Sequence, residues 1–220
     1  MKTDWLSYWA GKADGGHPWH TPEYYLGQAQ EFRLLYSGLD PRSVLEFGCG
    51  AGELYAYMGF DALDYLGVDA SASMLAEFRS RYPTARTVQA DATRFCRPET
   101  TYDLIFSNQM LQYLDLPAVS AHFANVRRMM AGHSVFLCGC IPHRAMRKLF
   151  YSGEFDEVPR TRLQKLGGVA RWLLRPDYVG YWHDPRSVSA LAAKYGMTSG
   201  IYGCMYFPYR FHAVMRLTPA

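Results

Sequence analysis

From Ser43 onward, short apolar runs alternate with segments whose apolar residues recur every three or four positions. The runs Ser43 to Phe47, Tyr65 to Asp69, Arg86 to Gln89, Tyr102 to Phe106 and Ser134 to Ile141 have the length and composition of buried strands. Between them lie helical patterns. Ser71 can cap a helix over Ala72 to Tyr82 that aligns Met74, Leu75 and Phe78. A second helix is expected from Pro117 to Met130, with Val119, Phe123, Val126 and Met130 on one side. A short helix is expected over Glu53 to Phe60. Strand–helix alternation of this kind implies right-handed βαβ crossovers and a largely parallel sheet.

Both ends of the chain break this alternation. Before residue 40, Thr21-Pro22-Glu23 marks a helix start, and Tyr25, Gln28, Phe32 and Leu35 follow at helical spacing. After residue 141 the pattern lapses until Pro185, where a helix to Tyr195 is expected. The β-like runs Thr198 to Tyr202 and Arg210 to Leu217 then have no room for a crossover and pair most simply as an antiparallel hairpin. The reading is one domain over 1–220, with an N-terminal helical cap (1–40), a core (43–141), an inserted lid (142–184) and a closing helix and hairpin (185–220).

Composition narrows the function. The chain has 220 residues with 49% hydrophobic and 20% charged, which excludes disordered and fibrous classes. The longest apolar run falls far short of the roughly 20 residues that span a bilayer, and no secretory leader is readable at the N-terminus. Five cysteines without a framework spacing read as reduced thiols, so a cytoplasmic setting is expected. Cys138 and Cys140 sit two apart in a strand. They read as core thiols, and His17 and His20 lack companion carboxylates, so no metal is expected.

The chemistry concentrates in Glu46-Phe-Gly48-Cys-Gly50-Ala-Gly52, a glycine turn that directly follows a strand. Such a turn lets backbone approach a ligand. A dinucleotide fingerprint would need Gly at position 53, where this chain has Glu53, a poor neighbour for a pyrophosphate. Asp69 ends the second strand, where a carboxylate can accept both hydroxyls of a ribose. Asp91 follows the third, where it can accept from an exocyclic amine. Together they describe a clamp for an adenosine with a small zwitterion, which S-adenosylmethionine fits.

Val44 to Gly52 resembles the first motif of the class I S-adenosylmethionine-dependent methyltransferases, and Gly67 to Leu75 resembles their second. Gln89-Ala-Asp91-Ala92 is similar to the adenine-binding segment. Tyr102 to Leu114 is similar to the strand-four motif of the small-molecule branch, the trans-aconitate methyltransferase type. The resemblance implies a three-layer Rossmann-like α/β fold with a seven-stranded sheet, mostly parallel with a C-terminal antiparallel hairpin. It also implies cofactor contacts from Glu46, Gly48, Gly50, Gly52, Asp69, Ala70, Met74, Asp91, Ala92 and Asn108, with S-adenosylhomocysteine as product. Many relatives carry His between positions 109 and 113; this chain has Gln112, a neutral amide that cannot act as a base. The candidate catalytic groups are therefore His20, Tyr25 and His143, with His183 also at the rim. The expected reaction is methyl transfer to a small molecule, a hydroxyl of a sugar or natural-product intermediate first.

The insert holds six Arg and two Lys against five acids, the whole net charge of +3. Leu166, Val169, Trp172 and Leu173 recur at helical spacing among these cations. A lid for a phosphate- or carboxylate-bearing acceptor, a helix packed on the domain, and docking on a membrane surface are the three readings. The absent Asn-Pro-Pro motif and the mild charge disfavour nucleic acid as substrate. A nucleoside-binding protein without transferase activity is the other alternative, and the oligomeric state is not legible.

Overall fold

A computed structural model describes residues 8–9, 21–174 and 179–219. Seven strands form one sheet: β1 (Ser43–Phe47), β2 (Asp64–Asp69), β3 (Arg86–Gln89), β4 (Tyr102–Asn108), β5 (Met130–Pro142), β6 (Met197–Gly203) and β7 (Arg210–Leu217). The order is β3-β2-β1-β4-β5-β7-β6. β7 is antiparallel to both neighbours and the other pairings are parallel, as the missing crossover between β6 and β7 requires.

Alternation along the strands sorts side chains into two cores, one on each face. Leu45, Phe47, Ile105, Phe136 and Met215 pack with Val119, Phe123 and Val126 of α3 (Leu116–Arg127) and with Val188 and Ala192 of α6 (Pro185–Lys194). Val44, Leu104, Phe106, Leu137 and Val214 pack instead with Ala29 and Phe32 of α1 (Pro22–Leu35) and with Leu75 and Phe78 of α2 (Ala72–Arg81). Cys138 belongs to the first core and Cys140 to the second; residues two apart in a regular strand would share a face, and the bulge between Cys138 and Ile141 is what parts them.

The helices start where their caps are. Thr21, Ser71, Asp115 and Asp184 each accept a backbone N–H from the first turn of α1, α2, α3 and α6. Two expectations need correction. Residues 53–59 form a succession of turns leading into a short 3-10 helix, Phe60–Ala62, rather than an α-helix. Here Phe60 N–H reaches back five residues to Tyr55 O while Met58 N–H reaches back four, and Gly59, left-handed, ends the run. The helix expected to reach Met130 stops at Arg127, because Met129 O accepts Tyr102 N–H and Met130 already pairs with Tyr102 as the start of β5.

The insert contains α4 (Arg147–Ser152) and α5 (Arg162–Leu174). They meet where Gly168 passes so near Tyr151 O that a Cβ would lie 2.2 Å from it. The basic helix exists, with Leu163 82% and Leu166 68% exposed and Val169 half-buried. Trp172, Leu173, Arg171 and Arg175 lie outside the described side chains. Of the insert's cations, Arg160 pairs with Asp156 and Lys165 with Glu154. The return leg docks on the domain: Gly180 takes a left-handed φ of 103°, and Tyr181 N–H donates to Gln112 O at 2.7 Å.

Candidate active site

The C-terminal ends of β1, β2, β3 and β4 open onto a cavity of about 460 Å³. In open α/β sheets ligands bind in this position, and a volume of this order holds a nucleoside-sized molecule. One wall is the glycine turn. Gly48, Gly50 and Gly52 all have left-handed φ, at 69°, 55° and 80°. At Gly48 a Cβ would lie 2.8 Å from Met110, so both conformation and space demand glycine there. Gly52 plays a different part: it does not line the cavity but faces Phe78 and Tyr82, letting α2 pack against the turn. The other nine expected cofactor residues (Glu46, Gly48, Gly50, Asp69, Ala70, Met74, Asp91, Ala92 and Asn108) all line it.

Asp69 organises the turn. Its Oδ2 accepts Gly50 N–H at 2.9 Å and its Oδ1 accepts Ser71 N–H at 2.8 Å, leaving lone pairs on both oxygens for a ligand. Asp91 holds its own turn by accepting Thr93 N–H and Oγ1–H on one oxygen, both at 2.8 Å. Glu46 lies buried behind the turn and accepts the Tyr65 hydroxyl at 2.6 Å. Burial pushes its carboxyl up to about 8, with the neighbouring Glu53 and Asp69 adding to the rise. Glu53 is likewise pushed up to about 7 by burial, and Asp69 is raised from the ordinary aspartate value for the same reason.

The charge of this wall is one-sided. Among the described residues that line the cavity are five acids, Glu46, Glu53, Asp69, Asp91 and Asp115, and no Lys or Arg. Asn108 adds a buried Oδ1 with no hydrogen-bond partner, while its Nδ2 donates to Gln28 Oε1 at 3.1 Å. An orphaned acceptor and clustered carboxylates suit a ligand that brings cationic groups and N–H donors. S-adenosylmethionine, with its sulfonium and ammonium, has that chemistry; a dinucleotide pyrophosphate does not.

The cavity also has an aromatic lining, Trp9, Tyr25, Tyr113 and Tyr181, with Met110 and Leu114. Burial raises the Tyr25 and Tyr113 phenols to about 12 each, so both remain protonated donors at neutral pH. Gln112 proves structural: its Nε2 donates to Tyr113 OH at 2.8 Å and its Oε1 accepts from Arg210 Nη1 at 2.8 Å. Trp9, Tyr113 and Tyr181 escaped sequence reading, since nothing in the local pattern says that a tyrosine 69 positions past Gln112 returns to it.

Of the catalytic candidates, Tyr25 lines the cavity and His143 does not. His143 caps the 3-10 helix Arg144–Met146 by accepting Ala145 N–H at Nδ1, with its ring against Phe211. His183 spends Nε2 on Leu111 O at 3.0 Å. His20 and His17 lie outside the described residues.

A sheet of this order, a glycine turn at β1 and acids closing β2 and β3 define a class I S-adenosylmethionine-dependent methyltransferase. Residues 44–132 match the methyltransferase domain family. The chain is 29% identical over 189 residues to a trans-aconitate 2-methyltransferase from Methylobacterium nodulans, covering 77% of this chain and 70% of that one. The same-named protein of Escherichia coli is 40% identical over 73 residues, 32% of this chain and 29% of that one. Among solved structures, an S-adenosylmethionine-dependent methyltransferase from Clostridium acetobutylicum superposes with a TM-score of 0.66 at 13% identity, covering 91% of this chain and 93% of that one.

Proposed function

We propose that this enzyme methylates a hydroxyl of a small, uncharged, ring-bearing acceptor seated against the aromatic wall. Asp69 would hold the cofactor's ribose, and Asp91 and Ala92, with Ala70 and Met74 beside them, would hold its adenine. Gly48, Gly50, Asn108 and Glu46 would hold its methionine end. When bound, it supplies an electrophilic methyl on a sulfonium, open to in-line displacement. The chain's own share is alignment and exclusion of water, which together can supply many orders of magnitude. Tyr25, held protonated, donates a hydrogen bond that orients the acceptor oxygen. His20 remains a candidate for the proton that leaves as the O–C bond forms, and His143 a weaker one, given its capping bond. The free state of all described cysteines accords with a cytoplasmic setting, and among the described residues no helix is long and apolar enough to cross a membrane.

The observation that supports this reading is the aromatic wall, to which no described Lys or Arg contributes. A second reading, methylation of a carboxylate, is favoured by the similarity to trans-aconitate 2-methyltransferase. It would draw its counter-charge from insert cations such as Arg144 and Arg147 at the sheet's rim. Labelled methyl transfer to a panel of neutral ring hydroxyls and of polycarboxylates separates the two. The neutral set should show a kcat/KM at least about tenfold higher. Arg144→Glu with Arg147→Glu should leave KM for the neutral acceptor within about twofold. Preference for polycarboxylates, with KM rising about tenfold on charge reversal, would replace the first reading with the second.

A further inference from the structure

On the far side of Gln28 from the cavity, two thiols meet. β5 carries a bulge between Cys138 and Ile141, and at its centre Cys140 adopts a φ of 53°, a left-handed conformation that costs a non-glycine residue free energy. The bulge turns the Cys140 thiol toward the loop after β6, where Cys204 Sγ lies 3.6 Å away. Both are free and buried, Cys204 at 7% exposure beneath the exposed Met205 and Tyr206.

The surroundings build a site around this pair. Gln28 Nε2 donates to Cys140 Sγ at 3.2 Å. Arg210 Nη1 donates to Cys140 O at 2.7 Å, bringing a fixed cation to the cluster. His212 accepts Cys140 N–H at Nδ1 and donates from Nε2 to Glu31 Oε1 at 3.0 Å, and that same oxygen accepts Met205 N–H. Glu31 thereby ties α1 to the loop that holds Cys204.

Cys140, Cys204 and His212 also lie near enough to hold a metal ion. The hydrogen bonds argue otherwise. His212 has one nitrogen accepting an amide and the other donating to a carboxylate, so no ring lone pair is left, and a guanidinium sits beside the sulfurs. Two sulfurs in contact, one donating to the other in a cationic setting, are instead the arrangement of a reactive dithiol.

We propose that Cys204 and Cys140 form an oxidisable dithiol, with Cys204 the sulfur that attacks a hydroperoxide and Cys140 the one that closes the bond. The Cys204 thiolate displaces hydroxide from the peroxide, giving a sulfenic acid. The Cys140 thiol then attacks that sulfur, and water leaves as the disulfide forms; the peroxide is reduced and the thiols lose two electrons. The hydrogen bond from Cys140 favours the charged form of Cys204 and lowers its pKa to about 5, while burial raises Cys140.

The test uses the full chain. Protein treated with one equivalent of hydrogen peroxide is alkylated and digested without reductant, beside a dithiothreitol-treated control. A linked Cys140–Cys204 peptide pair and the loss of two of the five free thiols, restored by dithiothreitol, are expected. Cys140→Ser should stop the reaction at a sulfenic acid on Cys204 that dimedone captures, and Cys204→Ser should leave Cys140 reduced. Circular dichroism confirms that each variant is folded. Oxidation confined to the half-exposed Cys96, or tightly held zinc at one equivalent that shields both thiols, would overturn the proposal.

Discussion

Asp69 binds Gly50 and Ser71 through backbone amides while facing the cavity, so it shapes the turn and meets the ligand with one carboxylate. Asp69→Ala should weaken cofactor binding by about 1.5–3 kcal/mol, the range for hydrogen bonds to a charged group. Asp69→Asn, which keeps one acceptor, should lose less. Calorimetry giving an unchanged Kd for Asp69→Ala would remove the ribose from this position. Glu46 allows a pH prediction. Its folded value of about 8 lies above its unfolded value near 4.5, so the native state holds a proton that the unfolded chain releases between them. The stability from this proton is complete below pH 4.5 and is lost as pH rises through 8. Cofactor-free enzyme should therefore melt at progressively lower temperature over that window, and Glu46→Gln should flatten the slope in a thermal-shift series.

At the scale of elements, the glycine turn depends on α2 as much as on β1. Gly52→Ala places a Cβ at φ 80° and 2.9 Å from the Phe78 ring. The expected cost is about 1–3 kcal/mol from conformation alone, read as a drop of roughly 2–4 °C in Tm per kcal/mol. An unchanged Tm would mean that α2 yields freely. This residue also shows how far a motif reaches: the pattern groups Gly52 with the cofactor contacts, whereas its nearest neighbour is an aromatic from a helix twenty-six positions on. The strands, caps and hairpin were legible because local rules set them, namely alternation, a Ser, Thr or Asp before an apolar repeat, and a gap too short for a crossover. The run after Gly52 was not. Its apolar residues satisfy a helical pattern, yet the chain must reach β2 across Gly59, and mixed turns do that where a regular helix would overshoot.

At the scale of the whole molecule, the sheet divides chemistry from stability. At the opposite end from the cavity, Asp103 accepts Arg42 and Ser43 N–H and pairs with His133, and these contacts hold its carboxyl down at about 2. On the cavity side, burial pushes carboxyls upward instead. What sequence could not reveal is what arrives from far along the chain: Tyr181 through the insert's return leg, and the Glu31, Cys204 and His212 group assembled from α1, a loop and β7. Each is an unremarkable residue in its local pattern.

The acidic wall has a consequence for the end of each turnover. On the proposed placement, Glu46 would lie at the cofactor's methionine end, which bears the sulfonium, with Glu53 and Asp69 lining the same cavity. Transfer of the methyl leaves that sulfur neutral, so the same carboxylates face a guest that has just lost one of its two cations. Where these acids are ionised, their mutual repulsion, balanced while the fresh cofactor is bound, would work against the spent one. The pocket is thereby biased to eject S-adenosylhomocysteine and reload, with a bias that strengthens as pH rises and the acids ionise.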